Sequence, residues 1–229
     1  MNDGTTDVYT LLRKKFELKK DVYSNTYNVF QQFKSLMLEM AEHYKATYKK
    51  DNLQVPFEFR DKSEFELELK FGSDILIFMM HTNVFEFSRE HEVMKTPYIR
   101  GDITRSYCGV INIYNFLSDS FKYNRVNDIG YLIGRVFVNR EMHYFIEGKR
   151  EIGMLYNNFA SSEINQEAAK LILESAIRYT VNFDLLTPPY DTVKEVSVFD
   201  LQTTQDNMKL QTGKRLGSKF QADKEEPKY

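Results

Sequence analysis

Residues 64–88, EFELELKFGSDILIFMMHTNVFEFS, decide the fold of this chain. In the first part apolar residues alternate with charged ones, which is the period-two pattern of a strand with one buried face. The Gly72-Ser73-Asp74 sequence then predicts a turn. Residues 75–80 are apolar throughout and predict a strand covered on both faces, and residues 84–88 alternate again. The stretch therefore predicts a three-stranded antiparallel meander.

The hydrophobic pattern also predicts a register for this meander. A three-residue loop at residues 72–74 places Leu69 opposite Ile77, and a loop at residues 81–83 places Ile77 opposite Phe87. This arrangement keeps one face apolar, whereas a shift by one residue would bury a glutamate, Glu86 in the second hairpin. The central strand would then carry a second apolar strip on the opposite face, and a helix is its expected cover. That strip consists of Leu76, Phe78 and Met80.

Helical periodicity appears on both sides of the strand-rich region. Aromatic and Met residues recur at steps of three and four over residues 21–50, and a second apolar face runs over residues 163–184. Further strands are predicted at residues 57–60 and 106–116, and a hairpin at residues 131–147. The chain thus predicts an α+β fold, in which an antiparallel sheet of about six or seven strands, roughly residues 57–148, is flanked by a long N-terminal helix and a C-terminal helix.

The predicted domain organisation is one α+β domain over residues 1–201. Residues 1–20 are basic and form a loosely attached helix in this interpretation, with Leu12 and Phe16 as anchors. Residues 202–229 are polar with few apolar residues and predict a disordered tail. The long connection at residues 89–105 mixes charges with Pro97 and Gly101, a composition typical of functional or mobile loops.

Composition narrows the class of protein. The chain has 229 residues, 42% of them hydrophobic, and a formal net charge of -2, so a general polyanion-binding surface is not implied. A single cysteine, Cys108, excludes an internal disulfide and indicates a reducing compartment. No secretory signal pattern and no apolar run near the ~20 residues of a membrane span are present. We predict a cytoplasmic protein that does not engage a membrane.

Sequence motifs of catalysis and of metal binding are missing. The chain contains no HExxH, GxxxxGK[ST] or GxSxG pattern, and one cysteine cannot build a Cys/His zinc site. His91 lies between Glu90 and Glu92, a grouping interpreted as a solvated charge cluster, and Cys108 is interpreted as a core residue. These observations favour a non-enzymatic protein and predict no cofactor and no metal.

One candidate ligand-binding site lies on the predicted hairpin. Arg135, His143 and Glu147 share one of its faces with Phe137 and Phe145, and a three-residue loop places Arg135 diagonal to the other two charged positions. A partly buried ionic cluster among aromatic rings can tune pKa values and bind an anion. An ordinary sheet face with cross-strand charge pairs is the alternative interpretation.

A candidate nucleic-acid-binding group lies in the same third of the chain. Cations that contact phosphates, together with rings that stack on bases, are what single-stranded nucleic acid requires. Acidic residues are interspersed among them, and a solvated surface is the alternative. The group consists of Phe121, Lys122, Tyr123, Arg125, Lys149 and Arg150.

Three functional hypotheses remain open. The first is a non-enzymatic interaction module that binds a partner protein or self-associates, which the missing catalytic motifs and the charged loops favour. The second is single-stranded RNA or DNA binding through residues 121–150. The third is a small-anion sensor or an enzyme at the Arg135, His143 and Glu147 face.

Overall fold

A long helix crosses one face of an antiparallel sheet in the computed structural model, which describes residues 7–49, 55–126, 128–148, 158–183 and 189–199. The helices are α1 (Val8–Thr47), α2 (Pro97–Gly101), α3 (Ser118–Lys122), α4 (Gln166–Val181) and α5 (Tyr190–Val193). The strands are β1 (Phe57–Ser63), β2 (Glu66–Phe71), β3 (Asp74–Met80), β4 (Phe85–Glu86), β5 (Tyr107–Leu117), β6 (Tyr131–Asn139) and β7 (Tyr144–Gly148). The predicted α+β class is confirmed, with seven strands in the described part of the chain. The predicted tail at residues 202–229 lies outside the described residues.

The inner face of the sheet is the one that α1 and α4 cover. Val29, Phe33 and Met37 of α1 are buried against it, and the ring of Phe33 lies 5.0 Å from that of Phe78 on β3. From α4, Thr180 accepts a buried hydrogen bond of 3.0 Å from the Asn115 side chain on β5. The helices bury most of the apolar positions predicted from their periodicity, although Leu171, predicted on the buried face of α4, is 51% exposed. Their packing fixes which side of each strand is the inner face.

The predicted register of β2 against β3 is wrong by one residue. Phe71 pairs with Asp74 and Leu69 pairs with Leu76, so the loop contains two residues rather than three. Gly72 has a φ of +55°, a left-handed conformation that glycine adopts without strain and that suits short hairpin loops. Since a shift by one residue exchanges the two faces, Leu76 lies on the inner face beside Leu69, and Glu68 on the outer face beside Ile77.

The predicted meander is also wrong in its third strand. β3 pairs with β5 along its whole length, and β4 is a two-residue strand that pairs with the start of β5. The strand order is β1-β2-β3-β5-β6-β7, so a strand from later in the chain takes the place expected for residues 84–88. The eleven-residue β5 offers a longer ladder of backbone hydrogen bonds than β4 can, which explains its central position.

The connection predicted as a functional or mobile loop at residues 89–105 folds onto the outer face. It contains two 3-10 helices, Glu92–Lys95 and Ile103–Ser106, with α2 between them. Val93 and Ile99 are buried there against Val110 and Phe137 of the sheet. This segment covers one end of the outer face and forms a second, smaller hydrophobic core.

Candidate functional site

The β6–β7 hairpin brings Arg135 and Glu147 together. They are direct cross-strand partners, and the Arg135 guanidinium donates a hydrogen bond to the Glu147 carboxylate. The predicted hairpin register is wrong by two residues, because Val138 pairs with Tyr144 rather than with Met142. A shift of two residues preserves the faces, so both charged residues remain on the outer face with the rings of Phe137 and Phe145.

His91, and not His143, completes this cluster. Its Nε2 lies 2.9 Å from Oε1 of Glu147, and its Nδ1 accepts a hydrogen bond of 3.2 Å from the backbone N–H of Val93. Because Nδ1 accepts a hydrogen bond, neutral His91 carries its proton on Nε2 and donates it to Glu147. Both ring nitrogens are therefore occupied. In the sequence, His91 lies between Glu90 and Glu92, and this pattern predicted a solvated charge cluster. The contact with Glu147 was not predicted.

A cleft of about 280 Å³ opens beside this cluster on the outer face. Arg135 lies over the ring of Phe137, with its guanidinium carbon 5.3 Å from the ring centroid. The ring of Phe87 stacks on His91 at 4.7 Å and lies 4.9 Å from Phe137. The cleft thus combines an aromatic wall with a guanidinium group. Its other lining residues include His81, Phe85, Glu86, Ser88, Val110 and Asn112.

Glu86 lines the cleft, but its carboxylate lies on the inner face. It pairs directly with Tyr107 and accepts a hydrogen bond from the Tyr107 hydroxyl. Two residues along the strand, Gly109 faces Thr26 of α1, which identifies this side of β5 as the inner one. The charged side chains that meet at the cleft are therefore Arg135 and Glu147, one cation and one anion.

His143 belongs to a separate cluster at the turn of the hairpin. Its ring stacks on that of Tyr98 at 5.2 Å, and its Nδ1 lies 3.0 Å from the carbonyl oxygen of Phe159. The Tyr98 hydroxyl donates a hydrogen bond of 2.7 Å to Glu141, which also accepts one of 3.0 Å from Arg105. These contacts join α2 and the second 3-10 helix to the β6–β7 turn, so this cluster holds the cover segment on the sheet.

The environment of this second cluster shifts two pKa values in opposite directions. Burial, together with the hydrogen bond to Glu141, raises the pKa of Tyr98 far above that of a free phenol. Burial also opposes ionisation of Glu141, but hydrogen bonds from Tyr98 and Arg105 outweigh it and lower the pKa of that carboxyl. The neutral phenol and the carboxylate are therefore the forms that the fold stabilises.

The predicted nucleic-acid group is only partly placed. Phe121, Lys122 and Tyr123 are exposed at the end of α3, and Lys122 lies over the ring of Tyr123 at 5.0 Å. The Nε atom of Arg125 pairs with Asp128 at 3.0 Å, and both side chains are largely buried. Lys149 and Arg150 lie outside the described residues. Nucleic-acid binding therefore stays a prediction.

A second candidate surface is the N-terminal end of α1, residues 8–17, which we call the α1 overhang. Five large apolar side chains there are each at least 60% exposed, whereas Leu18 is 8% exposed and begins the buried part of the helix. Within the described residues, the hydrogen bond nearest the N-terminus between α1 and the sheet joins Lys15 to the Tyr107 hydroxyl. The five exposed apolar residues are Val8, Tyr9, Leu11, Leu12 and Phe16.

No helix in the described part of the chain is long and apolar enough to cross a membrane. Among the same residues, no three or more His, Cys, Asp or Glu side chains group in a way that could hold a metal ion. No protein-family model, curated protein or solved structure matches this chain.

Proposed function

We propose that this chain is a non-enzymatic interaction module that binds an acidic segment of a partner protein along the α1 overhang. The observation that carries the proposal is the apolar stripe of α1, which is interrupted by Lys15 and runs past the end of the sheet. Leu18, Val22 and Phe33 are buried against the sheet, and steps of three and four residues lead from Leu18 past Lys15 to the exposed Leu11 and Val8. Leu12, four residues after Val8, lies on the same side of the helix. An uncovered apolar stripe on a helix is a surface that a partner would bury.

The charge of the α1 overhang favours an acidic partner. The overhang carries three cations and one carboxylate, and with the next four residues the count over residues 8–21 is five cations and two carboxylates, although the whole chain has a net charge of -2. Two copies of this helix end would bring like charges together along the stripe, which opposes self-association. The cations are Arg13, Lys14, Lys15, Lys19 and Lys20, and the carboxylates are Glu17 and Asp21.

The shape around the stripe favours a protein segment over a lipid surface. The stripe faces the side of α1 on which the sheet lies, and Lys15 contacts Tyr107 at the beginning of β5. A flat bilayer that reached Val8 and Leu12 would therefore meet the body of the protein. A narrow partner segment, such as an amphipathic helix, fits into the step between the overhang and the end of the sheet, over a length of about 15 Å at 1.5 Å per residue.

Selection of a displayed library of random peptides against the full-length chain tests this proposal. We expect enriched peptides that combine acidic residues with apolar residues at helical spacing. Leu12→Asp and Phe16→Asp should each weaken their binding at least tenfold, because a charge would replace an apolar contact. Leu171→Asp is the matched control, because Leu171 is an exposed leucine on α4, 51% exposed, far from the stripe in the sequence.

Three outcomes would overturn the proposal. Peptides that bind wild type and Leu12→Asp equally would place binding elsewhere. A dimer in sedimentation velocity that Leu12→Asp dissociates would assign the stripe to a second copy of the chain. Binding to phosphatidylserine vesicles that Leu12→Asp abolishes would assign it to a lipid surface. Thermal unfolding of each variant should match wild type, since these side chains are mostly exposed.

A further inference from the structure

We propose that the outer-face cleft binds a small organic carboxylate with a flat apolar body, such as an aromatic monocarboxylate. In this arrangement the Arg135 guanidinium binds the carboxylate, and the rings of Phe87 and Phe137 contact the apolar body. The site differs from the α1 overhang in its elements, its face of the sheet and its ligand chemistry.

The first support is that Arg135 is held in place before any ligand arrives. Glu147 fixes one nitrogen, Nη2, and His91 in turn orients Glu147 through a 2.9 Å contact. The guanidinium carbon also lies over the ring of Phe137, 5.3 Å from its centroid. Such a group loses little conformational freedom when it binds a ligand.

The second support is the donor capacity that Arg135 retains. A guanidinium has five N–H donors in a planar fork, and within the described residues Glu147 is its only hydrogen-bond partner. The side chain is 44% exposed, so its other edge is accessible from the cleft. Carboxylates match this fork geometrically, because two parallel hydrogen bonds can form.

The third support is the composition and size of the cleft. Rings of Phe85, Phe87 and Phe137 line it, with the Asn112 side chain next to Arg135 on the neighbouring strand. Its volume of about 280 Å³ is near the lower end of ligand pockets, which selects a small ligand. A cationic ligand would be repelled by Arg135, and the two oxygens of Glu147 are already engaged by His91 and Arg135. An anionic head with a flat apolar body fits this lining best.

Ligand-detected NMR titration of the full-length chain with benzoate and with benzamide tests this inference. The two probes have nearly the same shape but differ in charge. We expect benzoate to bind and benzamide to bind at least tenfold more weakly. Arg135→Gln should abolish the preference for benzoate, and Arg135→Lys should restore only part of it, because lysine lacks the planar fork. Arg100→Gln, at an exposed arginine of α2, is the matched control and should bind as wild type.

Backbone amide shifts provide a second readout that needs no variant. Benzoate should perturb residues 85–91, 110–112, 135 and 147 in the wild-type chain. Equal binding of the two probes, unchanged benzoate binding by folded Arg135→Gln, or shifts confined to other regions would each overturn the inference. Leu12→Asp should bind benzoate normally, so failure of the partner-binding proposal is distinguishable from failure of this one.

Discussion

The buried carboxylate of Glu68 lies 3.3 Å from the guanidinium of Arg60, its direct partner on the neighbouring strand. Glu68 is only 2% exposed, and Lys62 lies 3.8 Å from its other oxygen. A buried glutamate costs free energy unless it is paired, even on the outer face of a sheet. The β1 edge strand therefore supplies the two cations that allow the register of β2 and β3 to bury this carboxylate.

Removal of Arg60 should destabilise the fold, because the buried Glu68 carboxylate would lose one of its two cationic partners. Arg60→Ala should lower the free energy of unfolding by about 1–2 kcal/mol, less than for a fully buried pair because Arg60 is half-exposed and Lys62 remains. Glu68→Leu should be close to neutral, since it places an apolar group beside Ile77. Urea denaturation of both single variants and of the double variant measures the coupling. An equal cost of Arg60→Ala with and without Glu68 would show that the pair contributes nothing.

A side chain at residue 109 should destabilise the fold, because Gly109 lies in close contact with α1. A Cβ atom at residue 109 would lie 2.1 Å from Oγ1 of Thr26 and 2.7 Å from its Cβ. Gly109→Ala must therefore push α1 away from β5, and we expect it to cost about 1–3 kcal/mol of stability. Gly101→Ala is the matched control, because its nearest neighbour would be an Arg105 side-chain atom at 3.6 Å. Similar melting temperatures for the two variants would contradict this packing.

Stability should fall at alkaline pH partly through Tyr98. Its pKa is raised in the folded protein by burial and by Glu141, whereas the unfolded chain loses this proton near pH 10. The stabilising contribution is therefore complete below about pH 10 and is lost as the pH rises toward the folded pKa. Tyr98→Phe should cost about 1–2 kcal/mol at neutral pH. The difference in unfolding free energy between the two proteins should shrink from pH 9 to pH 11, and a constant difference would refute the linkage.

The fully buried middle of the inner face of β3 should tolerate no unpaired charge. Phe78 is fully buried between α1 and the sheet, with Phe33 as its ring neighbour. Phe78→Asp would leave an unpaired carboxylate there, and we expect a loss of about 3 kcal/mol or more, or an unfolded chain. Met79→Asp is the natural comparison, because Met79 lies on the other face of the same strand and is 39% exposed. Circular dichroism melts should therefore separate the two variants clearly.

Local periodicity in the sequence determined the fold class. The steps of three and four residues predicted α1 and α4, and the alternation of apolar and charged residues predicted most of the strands, because burial of one face imposes these periods on the chain itself. The same reasoning placed Arg135 and Glu147 on one face of their hairpin. That prediction was insensitive to the two-residue error in register, since side chains on a strand repeat every two residues.

Only the tertiary structure decided what depends on residues distant in the sequence. The predicted register of β2 and β3 was wrong by one residue. The observed register follows from the two-residue loop at Gly72, and the cations on β1 pair with the Glu68 carboxylate that this register buries. Neither effect is visible in the apolar pattern of the hairpin. Likewise, His91 reaches Glu147 across 56 positions of sequence, and β5 takes the place beside β3. Contacts of this kind follow from how the whole chain packs, so the cluster at the cleft could not be read from local sequence alone.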